Sequence, residues 1–269
     1  MNLKSTLLLF LGLFLASSVS CANEVGSSLV ILETQTKIIA HRGHWKCEGS
    51  AQNSIRSLER ASEVNAYGSE FDVHLTADNV LVVFHDNEIQ GKNIQSSAYA
   101  ELKDLKLNNG ENLPTLEQYL ERAKDLKNIR LILELKPHKT PERNREAAQA
   151  VVELVKRMKL NKRTDYITFD LDAGKELIRL CPKSEVAYLN GELSPMDLKA
   201  LGFTGLDYHY DVLKSHPDWV EECKVLGMTT NVWTVDDPAL MKEMIALDVD
   251  FITTNLPEET QKILLLPAQ

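Results

Sequence analysis

Residues 68–85 read GSEFDVHLTADNVLVVFH, and this stretch decides the fold of the chain. Its two apolar runs flank TADN, a connection of only four residues. A crossover between parallel strands needs about a dozen residues or more, so the two runs must instead form an antiparallel hairpin. On the return strand of this hairpin we expect His85 to lie roughly opposite Glu70 or Asp72.

Outside the hairpin, short apolar runs alternate with amphipathic stretches, as is typical of a parallel sheet wrapped in helices. Nine strands are predicted, at residues 37–42, 68–75, 80–85, 129–136, 165–170, 185–190, 205–210, 229–235 and 250–255. Helices are predicted at residues 53–65, 115–127, 144–159, 173–181, 217–227 and 238–248. With the return arm of the hairpin above the rim, the other eight strands form a (β/α)₈ TIM barrel with a β-hairpin extension at its C-terminal rim. No linker interrupts the pattern, so we expect one domain over residues 37–266.

Composition limits the classes of function. The chain has 269 residues, of which 43% are hydrophobic, and this is enough for one large α/β domain. The formal net charge is −9, which argues against a protein that binds nucleic acid through its phosphates. A small anionic substrate remains compatible with this charge, because a pair of basic side chains can dominate the potential inside a cleft.

Residues 1–22 have the pattern of an export signal, with a positive charge, a short apolar run and then small residues. The apolar run is too short for a comfortable membrane span. Cleavage by signal peptidase would leave residues 23–36 as a tether. Alternatively, Cys21 ends an imperfect lipobox and would carry a lipid, the one membrane attachment that we expect. The sequence thus predicts an exported bacterial protein that is either periplasmic or an outer-membrane-anchored lipoprotein.

Chemically active side chains collect at the C-terminal ends of the predicted strands, which is where TIM barrels carry their chemistry. The residues at or near these ends are His41, Arg42, Glu70, Asp72, His85, Glu134, Lys136 and Trp233. A random distribution would have placed such residues at both ends of the barrel. The pattern therefore indicates the rim of an active site.

Three of these residues are carboxylates on neighbouring strands. Glu70 and Asp72 are two positions apart on one strand, so both side chains point the same way, and Glu134 ends the next barrel strand. Such a set of oxygen ligands predicts a site for one hard divalent cation, Mg²⁺ or Ca²⁺. The alternative is a set of salt bridges with Arg42 and Lys136 at the rim.

Two histidines would complete this site. His41 and His85 form the pair that phosphodiester cleavage needs, one to accept a proton from the nucleophile and one to donate a proton to the leaving oxygen. Arg42 and Lys136 are fixed positive charges suited to phosphoryl oxygens. The predicted cation would polarise the same phosphoryl group.

The motifs HRG, EFD, HD, ELK, VWTV and TTN, in this order, resemble those of the glycerophosphodiester phosphodiesterase family. The resemblance covers nearly all of the predicted mature chain. It implies a metal-dependent barrel that hydrolyses glycerophosphodiesters to glycerol 3-phosphate and an alcohol. By this resemblance the acid–base histidines are His41 and His85, the metal ligands are Glu70, Asp72 and Glu134, and the substrate contacts are Arg42, Lys136 and Trp233.

Two segments depart from the family pattern. AQNS replaces the usual PENT, so that Gln52 stands where an acidic residue is common. Because position 52 is one loop away from the HRG motif, we expect Gln52 to contact Arg42 rather than the cation, and the set of three carboxylates to remain intact. HDNEIQGKN replaces the usual stretch after HD, and this leaves the preferred head-group alcohol open.

Two rival functions keep the same site. A lysophospholipase D-like lipid phosphodiesterase would need an apolar track from the mouth of the barrel, which Trp45, Trp233 and Tyr210 could begin. A cell-envelope protein that binds phosphodiesters without cleaving them is the second rival, and the neutral Gln52 is the feature that favours it. Both histidines and all three carboxylates argue for an enzyme instead.

Overall fold

Strands and helices alternate over residues 36–265, the part of the chain that the structure, a computed structural model, describes. The strands are β1 Lys37–Ala40, β2 Gly68–Leu75, β3 Leu81–Val83, β4 Glu88–Ile89, β5 Lys92–Asn93, β6 Arg130–Leu135, β7 Thr164–Thr168, β8 Val186–Tyr188, β9 Gly205–His209, β10 Thr229–Trp233 and β11 Phe251–Thr254. The α-helices are α1 Ile55–Glu63, α2 Tyr99–Leu102, α3 Leu116–Ala123, α4 Pro141–Arg157, α5 Leu171–Leu180, α6 Pro195–Leu201, α7 Tyr210–Ser215, α8 Asp218–Leu226, α9 Pro238–Ala246 and α10 Pro257–Leu264. A 3₁₀-helix spans Ile94–Ser96.

Eight of the strands close into a parallel barrel. Their order around the barrel is β1, β11, β10, β9, β8, β7, β6 and β2, and β1 also pairs with β2, which closes the ring. Only β3 joins this sheet in the antiparallel direction, on β2. The predicted (β/α)₈ barrel with a hairpin at its rim is confirmed.

The hairpin differs from its predicted register by one residue. Val73 pairs with Val83, and β3 ends at this point. The backbone N–H of Phe84 then donates to the carbonyl oxygen of Asp72 at 3.0 Å. His85 therefore follows the ladder instead of belonging to it, at the level of Phe71, between the two carboxylates that we expected it to face.

The alternation of side chains along the barrel strands separates the core from the site. In β2, Phe71, Val73 and Leu75 belong to the main hydrophobic cluster, which lies between the barrel and its helices. Because successive side chains of a strand point to opposite faces, Glu70 and Asp72 face the barrel interior. The same strand thus contributes to the core and to the site.

The insert at residues 76–115 has a hydrophobic cluster of its own. It carries β3, the small hairpin β4–β5, the 3₁₀-helix and α2. A buried apolar cluster separate from the main one joins Ala51, before α1, to the insert residues Val82, Ile89, Ile94, Leu102, Leu107 and Leu113. Strand β3 was predicted, whereas β4, β5, the 3₁₀-helix and α2 were not, because elements of two to four residues are too short to show a period in the sequence.

Helix prediction found the long helices and missed the short ones. Helices α6, α7 and α10 have six to eight residues and were not predicted. Helix α4 begins at Pro141, three residues before its predicted start. The side chain of Thr140 accepts a hydrogen bond from the backbone N–H of Arg143, and proline is favoured in the first turn, so the helix starts here.

Within residues 36–265, no helix is both long and apolar enough to cross a membrane. The predicted export signal at 1–22, the lipid site at Cys21 and nearly all of the predicted tether lie outside the described residues.

Candidate active site

The first turn of the site follows β1, where the chain leaves the barrel as His41-Arg42-Gly43. Arg42 and Gly43 have φ angles of 55° and 75°, both in the left-handed region. Gly43 packs so closely on α1 that a Cβ atom would collide with Ser57. Only glycine fits here, and the turn directs the backbone N–H of Arg42 to Oε2 of Glu70 at 2.8 Å.

The three predicted ligand carboxylates lie together. One oxygen from each of Glu70, Asp72 and Glu134 can be chosen so that all three lie within 4.8 Å of one another, and all three residues are buried. Asp72 and Glu134 are direct neighbours in the parallel ladder of β2 and β6. Oε1 of Glu70 is buried without a hydrogen-bond partner among the described residues. An unpartnered carboxylate oxygen in a cluster of negative charge fits a bound cation.

The electrostatics of the cluster fit the same interpretation. Burial and the charges of Asp72 and Glu134 raise the pKa of Glu70 well above its usual range. Burial and Asp72 raise the pKa of Glu134 to about 8, although Lys136 acts against this. Burial also acts to raise the pKa of Asp72, but Lys136, His85 and Arg42 outweigh it and hold that pKa below the usual value. A divalent cation would relieve this repulsion.

The two basic side chains contact the same carboxylates. Nζ of Lys136 lies 2.7 Å from Oε1 of Glu134 and 3.2 Å from Oδ1 of Asp72. Nε of Arg42 lies 3.8 Å from Oδ2 of Asp72, and its Nη1 donates to Oε1 of Gln52 at 2.6 Å. The salt bridges considered as an alternative are therefore present beside the acidic cluster, and Gln52 makes the contact with Arg42 that its position predicted.

Asn53 was missed by the sequence analysis, although it fixes Asp72 at two points. Its Nδ2 donates to Oδ2 of Asp72 at 2.8 Å, and its Oδ1 accepts from the backbone N–H of Asp72 at 3.0 Å. Asn53 has a φ angle of 60°, a backbone conformation that asparagine tolerates better than most residues. An asparagine directly before the Ser54 helix cap was the available signal.

His41 is oriented by a residue from the opposite end of the chain, Asn255, which was not among the predicted site residues. Nδ1 of His41 lies 2.9 Å from Oδ1 of Asn255, and Nε1 of Trp45 donates to the same oxygen at 2.8 Å. Nδ2 of Asn255 donates to Asp236 at 2.8 Å, which identifies its other atom as the oxygen. An amide oxygen only accepts hydrogen bonds, so Nδ1 of His41 carries the ring proton and Nε2 is the unprotonated nitrogen. Burial, assisted by Arg42, lowers the pKa of His41 to about 4.

His85 lies on the loop after β3, and its side chain is 34% exposed. Its Nδ1 lies 2.7 Å from Oδ1 of Asp86, which is an acceptor. The buried His74 lies underneath, with Nε2 at 3.3 Å from the backbone oxygen of His85 and Nδ1 at 3.1 Å from Gln95 of the insert. Burial lowers the pKa of His85, and Asp72 acts against this.

A cavity of about 90 Å³ lies between the two histidines and the carboxylates Glu70 and Glu134. One side of it is lined by His41, Arg42, Glu70, His85 and Glu134, and the other by Ile167, Phe169, Leu189, Asp207, Trp233, Thr234 and Thr253. Trp233 is fixed by a hydrogen bond from Nε1 to the backbone oxygen of Asp207 at 2.8 Å. Asp72, Lys136 and Gln52 are not among the lining residues, but Asp72 and Gln52 contact Arg42 and Lys136 contacts Glu134, both of which line the cavity.

A barrel that brings two imidazoles, two basic groups and three clustered carboxylates to its C-terminal rim defines a hydrolase of phosphate esters. The sequence profile of the glycerophosphoryl diester phosphodiesterase family matches residues 41–259, which is most of the chain. The chain belongs to this family, and it is a phosphoric diester hydrolase.

Individual relatives agree with this membership. A glycerophosphodiester phosphodiesterase of Caldanaerobacter subterraneus is 28% identical over 240 residues, 83% of this chain and 96% of that protein. The crystal structure of a glycerophosphodiester phosphodiesterase from Parabacteroides distasonis is 79% identical, covers 86% of this chain and 98% of that one, and gives a TM-score of 0.86. A phosphodiesterase of Oleispira antarctica, in complex with the product sn-glycerol-3-phosphate, is 25% identical, covers 84% and 96%, and gives a TM-score of 0.74.

Proposed function

We propose that this protein hydrolyses glycerophosphodiesters to glycerol 3-phosphate and an alcohol, with one divalent cation and two histidines as proton carriers. The observation that carries the proposal is the cluster of Glu70, Asp72 and Glu134, because two of its members, Glu70 and Glu134, line the same cavity as His41 and His85. The product complex of the Oleispira antarctica relative supports the choice of substrate.

Glu70, Asp72 and Glu134 would hold the cation. When bound, Mg²⁺ or Ca²⁺ polarises the phosphoryl group and offsets its negative charge. The chain itself contributes the positive charges of Arg42 and Lys136, and both side chains contact the carboxylate of Asp72. Gln52 orients the guanidinium of Arg42 through a neutral oxygen and leaves its full charge for the substrate phosphate.

His41 is assigned as the proton acceptor. Asn255 keeps the proton on Nδ1, so that the lone pair of Nε2 is available to the nucleophile. With a pKa of about 4, His41 is neutral over the physiological range and ready to accept. His85 is assigned as the donor to the leaving oxygen, because Asp72 and Asp86 favour its protonated ring and oppose the lowering of its pKa by burial.

The test is the release of glycerol 3-phosphate from glycerophosphocholine. We expect turnover by the wild type with Mg²⁺ or Ca²⁺, loss of turnover in excess EDTA, and recovery when either ion is added back. His41→Ala should abolish it, and His216→Ala, a change at an exposed histidine after α7 and outside the cavity lining, is the matched control. Full activity in EDTA would exclude the metal site.

The same assay separates the rival functions. A lysophospholipase D-like enzyme would prefer lysophosphatidylcholine, whereas we expect this protein to prefer glycerophosphocholine. An envelope protein that only binds phosphodiesters would bind glycerophosphocholine in a calorimetric titration and release no glycerol 3-phosphate.

We also propose that the protein is exported. The pattern of residues 1–22 supports this proposal. Mass spectrometry of the mature N-terminus distinguishes cleavage by signal peptidase from lipid attachment at Cys21, and Cys21→Ala should release a lipid-anchored form from the membrane fraction.

A further inference from the structure

One carboxyl group at the cavity has no part in the proposed reaction. Asp207 lies in β9, where its neighbours Leu206 and Tyr208 belong to the main hydrophobic cluster outside the barrel. Because side chains alternate along a strand, Asp207 faces the interior. It lines the same cavity as the two histidines and is only 2% exposed.

Among the described residues, Asp207 has no basic side chain beside it, in contrast to two carboxylates of the proposed metal cluster. Asp72 and Glu134 contact Lys136, and Glu70 accepts a backbone N–H. Oδ1 of Asp207 has no hydrogen-bond partner within the described residues. Burial raises the pKa of Asp207 to about 7, although a hydrogen bond with the side chain of Asn231 acts against this rise. A buried polar atom without a partner is costly, so its presence at a cavity wall points to completion by a ligand.

The surroundings of this carboxyl define the chemistry of such a ligand. Nε1 of Trp233 donates to the backbone oxygen of Asp207 at 2.8 Å, and the ring of Phe169 meets the Trp233 ring edge-on at 5.7 Å between centroids. Ile167 and Leu189 line the same half of the cavity. A short carbon skeleton that carries hydroxyl groups matches a largely apolar wall on which Asp207 is the one carboxylate.

We propose that Asp207 accepts a hydrogen bond from a hydroxyl group of the glycerol arm of the substrate, while Trp233 packs against the carbon atoms of that arm. This inference rests on the proposed function, which holds the phosphoryl group at Arg42 and the carboxylate cluster. With the phosphoryl group held there, the glycerol arm of the substrate extends across the cavity to Asp207. An arm without a hydroxyl would leave the carboxyl unpaired, so Asp207 selects for glycerol.

The experiment compares two variants on two substrates. Asp207→Leu removes the acceptor, and Asp207→Asn keeps an acceptor oxygen of similar size. With glycerophosphocholine we expect Asp207→Leu to lower kcat/KM by about 10- to 100-fold, as for loss of a hydrogen bond to a charged acceptor, and Asp207→Asn to retain an intermediate value. With bis(p-nitrophenyl) phosphate, which has no hydroxyl group, both variants should match the wild type.

Ligand binding can be measured independently of turnover. Calorimetric titration should show weaker binding of glycerol 3-phosphate to Asp207→Leu and unchanged binding of inorganic phosphate, and melting curves check that the variant folds. Equal losses on both substrates, or no loss on either, would overturn the role of Asp207. Weaker binding of phosphoethanolamine with unchanged binding of glycerol 3-phosphate would place the head group there instead, and also overturn it. A wild type that cleaves bis(p-nitrophenyl) phosphate but not glycerophosphocholine would instead refute the proposed function and, with it, this inference.

Discussion

Asn255→Asp would replace the neutral acceptor behind His41 by a charged one. Oδ1 of Asn255 lies 2.9 Å from Nδ1 of His41, so the new carboxylate would stand in direct contact with the ring. The other charged groups around His41 are Arg42 and His85, which lower its pKa, and Asp72, which raises it. These are unchanged by the substitution, so its effect on His41 is that of one added negative charge.

The magnitude follows from the distance and the burial. Two unit charges about 4 Å apart interact by about 4 kcal/mol at an effective dielectric constant of about 20, which corresponds to an upper limit of about three pH units. Asp236 already contacts Asn255, and its repulsion reduces the charge that the new carboxylate carries. We therefore expect the pKa of His41 to rise from about 4 to about 5–6. His41 accepts a proton only when neutral, so kcat/KM should decline at a higher pH than in the wild type.

The assay is kcat/KM for glycerophosphocholine between pH 4 and 9 at saturating cation. At pH 5 we expect the variant to lose up to about tenfold more of its plateau value than the wild type does. Asn255→Leu is the control without charge, and it should lower the plateau without moving the acidic limb upward. The exchange Asn255→Asp with Asp236→Asn preserves the net charge of the pair and should also move the limb upward. If the acidic limbs of Asn255→Asp and wild type coincide, His41 is not the base or Asn255 does not orient it.

Three further predictions concern the rest of the site. His41→Ala and His85→Ala should each lower turnover by about 10²–10⁴-fold, and the double variant should lose far less than the product of the two, since both serve one displacement; wild-type turnover in either would remove that residue from the mechanism. Gln52→Glu should mainly change KM, because Gln52 contacts Arg42; a calorimetric gain in metal affinity above about 1.4 kcal/mol, a factor of ten, would show that position 52 touches the cation. Without cation, Glu70→Gln should melt at a higher temperature than wild type at pH 8, because a carboxyl whose pKa is raised in the folded state destabilises that state once ionised. The gain should shrink as the pH falls toward 4.5, the usual value for glutamate, and equal melting curves at pH 8 would contradict it.

The fold could be predicted from sequence because one short connection removed the ambiguity. TADN cannot span a parallel crossover, so the ninth strand had to leave the barrel. The predicted register of the hairpin was wrong by one residue. The backbone N–H of Phe84 donates to the carbonyl oxygen of Asp72, and no local sequence pattern encodes this pairing. Short helices such as α7 were missed for a related reason, since six residues do not display a helical period.

The sequence predicted the charged residues of the site that lie at or near the ends of strands. It did not predict the neutral residues that orient them from distant parts of the chain. Glu70, Asp72 and Glu134 stand out because carboxylates are rarely placed in apolar strands. Asn53 and Asn255 are common polar residues in loops, and their contacts depend on chain segments far away in the sequence. Asp207 ends no motif, and only its unpaired oxygen at the cavity distinguishes it.

The separate hydrophobic cluster of the insert has a consequence for how the enzyme loses activity. His85 lies on the insert, whereas His41 and the carboxylates lie on the barrel. Cooperative units of a protein can open locally at a lower free energy than global unfolding. Opening of the insert would carry away one of the two proton carriers while the eight-stranded ring stays closed. We expect amide hydrogens of β3 and β4 to exchange faster than those of β6, and heat inactivation to be rapidly reversible below the melting temperature of the barrel.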